Sequence, residues 1–388
     1  MRTIAVDGHS ERWLRKGFPW VYPAEIPGPK PRPGELVALA SRGGEDLGVG
    51  FGDDGWIAVR RWRDDRGPVD ADLVAGRLAA AQALRRAVVG PDTNAYRLIH
   101  GEGDACPGVR VDRWGDVASI VLDTPSVAAV VPHLCDLLAA DGVVGIVQGV
   151  RPDPRDTGRK VEGATVLWGD VAEEVEVREH GLRFGIRPLD APDVGLYTDL
   201  RDLRAWLAPR WAGRRVLNTF AFTGAFTVAA LAGGASGTVT VDLSRASLTR
   251  ARANLARNGL PEDGSTFIDA DVFRTLDALR RSGEGFDVIV LDPPSFSRSD
   301  VGVWSAQRDW PRLTAAAARV ARPGAWIVAV SNQGELSPHP WHGMLADGVA
   351  RAGRTGSTVM VGGQSGDVPA RLTFPEGRYL KTAVLALD

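Results

Sequence analysis

At 388 residues, with 44% hydrophobic and 24% charged side chains, the chain exceeds one typical domain and has ordinary globular composition. A formal net charge of −2 excludes a globally basic nucleic-acid binder. Cys106 and Cys135, without CxxC spacing, support neither a zinc site nor a disulfide framework. The start of the chain lacks the ~7–15-residue apolar core of a signal peptide, and Asp7 and Glu11 come too early for one. A cytoplasmic protein is expected.

Charge is spread unevenly. Residues 1–68 carry 11 basic and 10 acidic side chains, residues 69–185 carry 12 and 18, and residues 186–388 carry 23 and 20. Arg60, Arg61, Arg63 and Arg66 form a local basic group that suits phosphates or a solvated face.

Residues 1–68 are rich in Gly and Pro. Strand-like pieces at Leu36–Ala40, Leu47–Phe51 and Trp56–Arg60, with turn signals between them, predict a small β-barrel. Residues 69–187 read as an α+β middle domain. Its expected elements are a helix over Asp70–Val89, a hairpin of Arg110–Trp114 and Val117–Leu122, a helix over Ser126–Ala140 and a strand at Gly145–Val150. A charged loop at Arg151–Lys160 and a second hairpin of Val175–Arg178 and Leu182–Ile186 follow. The third domain, residues 188–388, opens with a helix over Thr198–Pro209.

From Val216 onward strands and helices alternate. Strands are expected at Val216–Leu217, Thr238–Val241, Thr266–Ile268, Asp287–Leu291 and Trp326–Val330. Helices fall between them at Ala225–Ala232, Arg245–Asn258, Phe273–Arg281 and Asp309–Ala321. Ser357–Val361 and Leu380–Leu387 complete the sheet as an antiparallel pair. This is an α/β pattern with a mostly parallel sheet. His339 and His342, with Pro338 and Pro340 around the first, read as loop residues and not as metal ligands.

The stretch Val216–Asp242 carries no charge before its last residue. A membrane span of about 20 apolar residues is disfavoured by Asn218, five Thr and four Gly. A dinucleotide site would show G-x-G-x-x-G, whose glycines let the backbone touch a pyrophosphate. Here the loop Phe220–Phe226 has one glycine, Gly224, and three phenylalanines. Such a wall suits a nucleoside without phosphates, and S-adenosylmethionine (SAM) is one.

Asp242, Asp271 and Asp292 end three successive strands or their loops, and strand carboxyl ends converge on one crevice. Asp242 suits a ribose diol, since an ionised carboxylate accepts two hydroxyl hydrogen bonds. Asp271 suits an adenine amino group, with the N–H of Val272 for a ring nitrogen. The competing role for each acid is to cap the next helix. In Asp292-Pro293-Pro294-Ser295-Phe296 the prolines fix φ and remove two donors. Rigid carbonyls near an aromatic suit a base turned out of its strand.

These motifs carry a family resemblance over essentially the full length. It rests on Arg15–Val21, Tyr96–Asp104, Val111–Asp116, Val194–Asp202, Asn218–Phe226, Val241–Ser244, Asn254–Leu260 and Asp292–Ser297. The chain resembles bacterial ribosomal RNA large-subunit methyltransferases with a PUA-like N-terminal domain and a Rossmann-type SAM domain. The resemblance implies that Phe220, Thr223 and Gly224 line the methionine end of SAM. Asp242 and Asp271 would hold its nucleoside, and Asp199 and Arg201 would border the cleft. Asn218, Leu243, Ser244 and Val272 are expected in the same cofactor site. Asp292, Pro293, Pro294, Phe296 and Asn332 are expected to face the target base. Large-subunit ribosomal RNA is the implied partner, without membrane or metal, and a homodimer is compatible.

One departure bears on the chemistry. Methylation of cytosine carbon 5 needs a thiol that adds to carbon 6. The family places it after the strand Trp326–Val330 or within the D-P-P motif. This chain has Ser331-Asn332 and Ser295 there. The ending is more similar to the branch that makes 7-methylguanine, whose N7 already carries a lone pair, so a purine ring nitrogen is the expected acceptor. Cytosine carbon 5, a small-molecule substrate and a non-catalytic RNA-binding role are the alternatives.

Overall fold

The computed structural model describes residues 1–150, 163–190, 193–299 and 302–388, with only the backbone described at 150, 296–299 and 302–303. The loop expected at 151–160 lies outside the described residues. The chain divides into two compact units, of which the first comprises residues 1–177, 186–194 and 366–377.

The first unit starts with a five-stranded sheet in the order Arg2–Ala5, Leu36–Ala40, Asp46–Gly52, Val59–Arg63, Trp20–Val21. The first pair is parallel and the others are antiparallel. The opening strand and the helix Gly8–Arg15 give no sequence signal, because only Ile4 of the strand is buried. The helix is capped by Asp7, whose carboxylate accepts from Ser10 N–H at 2.8 Å. The strand expected at 56–60 begins three residues later. Trp56 is 82% exposed on a turn, and Arg60 is drawn into the strand by Asp53 at 2.8 Å and Glu102 at 2.9 Å. Buried ion pairs thus disguise a strand as a basic surface.

A second sheet follows in the order Thr165–Gly169, Gly145–Val150, Val117–Leu122, Val109–Trp114, Ala95–His100. The helices Ala71–Val88 and Val131–Ala140 supply Leu78, Leu134 and Leu138 to its core, which also takes Phe51 and Trp62 from the first sheet.

The second unit comprises residues 178–185, 195–365 and 378–388. Its seven-stranded sheet runs in the order Ser265–Asp269, Gly237–Asp242, Arg215–Thr219, Phe286–Leu291, Ala321–Ser331, Lys381–Leu387, Gly356–Gly362. The first five are parallel. The last two enter antiparallel, as their sequence predicts. Strand alternation sorts the apolar residues between the two faces. Leu217, Ile289 and Ile327 join one core, while Val216, Val288 and Val328 join the other. Both faces are covered by helices, which is why these strands read as continuous apolar runs.

Two elements correct the sequence reading. His339 and His342 lie in the helix Pro338–Arg351, not in a loop. Its prolines occupy the first turn, where a helix has no use for the missing N–H groups. The helix expected at 309–321 is Ala306–Ala318, with buried Pro311 inside it. Among the described residues no helix is long and apolar enough to cross a membrane.

Candidate active site

Strand order reverses between Arg215–Thr219 and Phe286–Leu291, and a crevice forms beyond the carboxyl ends at such a switch point. A cavity of about 340 Å³ lies there. Its walls include eleven of the residues expected from sequence: Asp199, Asn218, Phe220, Thr223, Asp242, Leu243, Asp271, Asp292, Pro293, Pro294 and Asn332. Val272 is the twelfth.

The loop after the first strand of this sheet has an unusual backbone. Phe220 and Phe222 adopt positive φ of 53° and 48°, followed by Gly224 at 76°. A non-glycine residue in that region costs roughly 1–2 kcal/mol. Two phenylalanines are held there because neighbours fix the turn. Asp242 accepts from the N–H of Phe222 at 2.8 Å. Thr223 donates to the Gly195 carbonyl at 2.5 Å. Asn254, 1% exposed, donates to the Thr223 carbonyl at 3.0 Å and accepts from Gly185 N–H at 2.9 Å. Gly224 does not line the cavity. A Cβ there would lie 2.8 Å from that of Ala251, so Gly224 lets two helices pack closely. Asn218 donates to Thr227 at 3.0 Å from within the buried sheet.

Asp242 and Asp271 are differently placed. Asp242 accepts one backbone N–H on each oxygen, from Phe222 and from Ser244, both at 2.8 Å. Each oxygen keeps acceptor capacity for a hydroxyl. Asp271 caps the helix Val272–Ser282, accepting from Phe273 and Arg274 N–H at 2.9 and 3.1 Å. The capping role therefore holds for one Asp271 oxygen, while the residue still lines the cavity. Ser244 caps the helix Arg245–Arg257 through Ser247 N–H at 3.2 Å and stands outside the cavity wall.

Across the cavity, Asp292 is half-buried. Burial pushes its carboxyl up to about 7, nearby Asp199 adds to the rise, and Arg204 opposes it. Asp199 in turn accepts from the Tyr379 hydroxyl at 2.6 Å. Arg201 is fully buried against Asp202 at 3.0 Å and is not part of the wall. From the same helix it is Arg204 that reaches the cavity, locked on Glu179 by two bonds of 2.6 and 2.7 Å.

The D-P-P loop is more constrained than its sequence suggests. The Pro294 carbonyl accepts from the Trp304 indole at 2.7 Å, so one of the rigid acceptors is engaged within the protein. Ser295 donates to the Asn332 side-chain oxygen at 2.7 Å, which turns the Asn332 amide donors away from Ser295. Phe296 opens the hairpin Phe296–Ser299 and Gly302–Ser305, and its side chain lies outside those described.

Tyr197, Arg204, Trp304, Arg312 and Leu380 also line the cavity, and the sequence singles out none of them. Arg204 and its Glu179 partner are 25 residues apart, and Trp304 sits on a hairpin with no alternation of its own. No local signal marks either.

The donor set fits SAM. Five carboxylates line the wall (Asp199, Asp242, Asp271, Asp292, Asp309) against two guanidinium groups. Of the latter, Arg204 is paired with Glu179 and Arg312 lies 4.1 Å over the Phe273 ring. That balance favours a cationic nucleoside over a phosphate ester. Cys106 lies in the core of the first unit, where burial pushes its thiol up to about 12, and Cys135 is half-buried on a helix there. Every residue of the cavity wall belongs to the second unit. Among the described residues no group of three His, Cys, Asp or Glu could hold a metal ion.

The S-adenosylmethionine-dependent methyltransferase family model matches residues 147–353, and a PUA-like domain model matches residues 4–62. A Photobacterium profundum protein, "Ribosomal RNA large subunit methyltransferase I", is 33% identical over 96% of both chains. A Deinococcus radiodurans "Ribosomal RNA large subunit methyltransferase" is 32% identical over 99% of this chain and 97% of that one. A solved Streptococcus mutans structure, given as a SAM-dependent methyltransferase, has a TM-score of 0.88 at 22% identity with full coverage of both chains. Another, complexed with SAH, has a TM-score of 0.90 at 22% identity, again over both full lengths. These two speak for the fold.

Proposed function

The chain belongs to the family of bacterial ribosomal RNA large-subunit methyltransferases that join a PUA-like domain to a SAM-dependent methyltransferase domain, and from that premise we propose that it methylates a purine ring nitrogen of 23S ribosomal RNA in the cytoplasm. SAM is its cofactor. When bound, SAM supplies a methyl group made electrophilic by a sulfonium.

The roles assigned to the chain's own residues follow from their placement. Asp242 would accept the ribose hydroxyls, and Val272 N–H with Asp271 would meet the adenine. Phe220 and Thr223 would exclude water near the sulfonium. Asp292 and the Asn332 amide would hold the edge of the acceptor base in line with the methyl group. A ring nitrogen with a lone pair needs orientation and desolvation more than a base or a nucleophile. The observation that carries this reading is that Asp292-Pro293-Pro294 and Asn332 face the cofactor loop across one cavity that no cysteine lines.

A second reading keeps cytosine carbon 5 as acceptor. The relatives matched over the full length are named for large-subunit ribosomal RNA, a substrate that offers cytosine as well as purines. That chemistry would need a thiol where this chain has Ser331, Asn332 and Ser295.

Mass spectrometry of nucleosides from 23S RNA, comparing a deletion strain with its parent, tests both. Loss of a methylated purine supports the first reading, and loss of 5-methylcytosine replaces it with the second. An unchanged profile sinks both.

A further inference from the structure

Tyr197 is set apart from the other aromatic side chains of the cavity by its exposure. Of the six in the wall, Phe226 and Trp304 are buried, and Phe220, Phe222 and Phe273 are half-buried. Tyr197 alone is exposed, at 49%. A side chain that lines the cavity and still meets solvent stands at its opening. Its ring lies 5.2 Å from that of Phe222, tilted by 41°, within the range of a favourable aromatic pair.

Single exposed apolar rings are ordinary on a protein surface, but the backbone of this one is pinned on both sides. Leu196 and Thr198 flank it, both buried. The Gly195 carbonyl accepts from the Thr223 hydroxyl at 2.5 Å, and the Tyr197 carbonyl accepts from Arg204 at 2.8 Å. Arg204 is itself fixed on Glu179. Phe222, the neighbouring ring, is held through its N–H by Asp242 at 2.8 Å. An exposed ring on so rigid a support loses little freedom when a second flat surface covers it. Charge decides what that surface is. With five carboxylates and two arginines in the wall, a phosphate is disfavoured at this opening, whereas a nucleobase carries no charge. Unpaired RNA bases are recognised by stacking on such side chains.

We propose, resting on the RNA reading above, that Tyr197 stacks the nucleobase next to the one that enters the cavity. The acceptor base has to pass inside to meet the methyl group, which leaves the exposed ring at the opening to its neighbour in the strand. That neighbour loses a stacking partner when the acceptor base turns out. The Tyr197 ring takes the vacated place and offsets part of the cost.

The test uses the full chain, SAM with a tritiated methyl group and a 23S RNA transcript. Tyr197→Ala is expected to raise KM for the RNA about tenfold, within the range for loss of one base–aromatic stack. Its kcat, and its SAM affinity by calorimetry, should stay close to those of the parent. The slope of log affinity for RNA against log salt should also hold, because stacking releases no counterions. Tyr197→Phe and Tyr197→Trp keep a ring and should restore KM. Should the alanine variant fail to fold, Tyr197→Leu, which keeps bulk without a flat face, decides in its place. Parental KM in the ring-less variant overturns the proposal. So does a Tyr197→Phe variant as weak as alanine, which would assign the effect to the hydroxyl. Lost SAM affinity would make Tyr197 part of the cofactor wall, and a lower kcat at unchanged KM would place it on the acceptor base. Either result also overturns the proposal. A parent chain that binds SAM but methylates no RNA removes the RNA reading itself, and this proposal with it.

Discussion

The indole N–H of Trp304 donates to the carbonyl of Pro294 at 2.7 Å, across ten residues of hairpin. Trp304 is 5% exposed and its ring also contacts Phe220, Phe273 and Trp310. One side chain therefore ties the D-P-P loop to the loop Phe220–Phe226. Trp304→Phe keeps much of the packing and leaves the Pro294 carbonyl without its partner. Its expected cost is about 1–3 kcal/mol of stability. If the D-P-P loop holds the acceptor base as proposed, turnover should fall more than SAM affinity, because that loop loosens first. Equal losses in both, by steady-state kinetics and calorimetry, would refute this division.

Asp242→Ala is expected to weaken SAM binding by about 1.5–3 kcal/mol, the range for hydrogen bonds to a charged group. It also frees Phe222 N–H, which Asp242 holds at 2.8 Å in a left-handed conformation. Asp242→Asn should recover part of the loss, since an amide oxygen can still accept from one backbone N–H. Calorimetric titration with SAM checks both. Parental affinity in the alanine variant would remove Asp242 from the site.

Gly224→Ala should destabilise the fold by about 2 kcal/mol or more. The position has a φ of +76°, and the new methyl would sit 2.8 Å from the Cβ of Ala251. The sequence marks Gly224 as a cofactor residue. The structure gives it a packing role beside the cavity, so SAM affinity per folded molecule should change less than melting temperature does.

Much of the second unit is legible because both sheet faces are covered, which leaves uninterrupted apolar runs ending in an acid. The strand Gly237–Asp242 is the clearest case, with Thr238, Val239, Thr240 and Val241 buried before Asp242. The first unit hides its strands, since Arg60 and Arg61 are buried there by ion pairs that no local pattern announces. The D-P-P loop is readable as a motif, but its partners Trp304 and Asn332 reach it only through the folding of the chain. Arg201 looks like a cavity residue from its motif, yet helix geometry turns Arg204 to the wall and buries Arg201.

The pH dependence of stability provides another test. The Asp292 carboxyl, at about 7 in the folded chain, lies above the usual aspartate value near 4. The folded state then holds the proton more tightly than the unfolded one. The contribution is complete below about pH 4 and is lost as pH rises through about 7. Asp292→Asn cannot ionise and should not share the decline. Its melting temperature should match the parent near pH 4 and exceed it by a growing margin toward pH 8, while turnover falls. Parallel melting profiles would show that the carboxyl is not raised.

Lys381 offers a last test of how the turn at Asn332 is held. It is 5% exposed and pairs in register with Ser331, the residue before Asn332. Its ammonium donates to the carbonyls of Gln333 at 2.7 Å and Tyr379 at 2.9 Å. Burial lowers its pKa, and the two carbonyls keep it hydrogen-bonded without a carboxylate. Lys381 therefore clamps the turn that presents Asn332 to the segment that carries Tyr379, the partner of Asp199. Lys381→Met preserves the aliphatic stem and abolishes the clamp, at about 1–3 kcal/mol of stability. If positioning is its role, kcat should fall well beyond the change in SAM affinity, and Lys381→Arg should restore only part, because a planar guanidinium cannot reproduce the same fork. A methionine variant with parental kcat would leave Lys381 a purely structural residue.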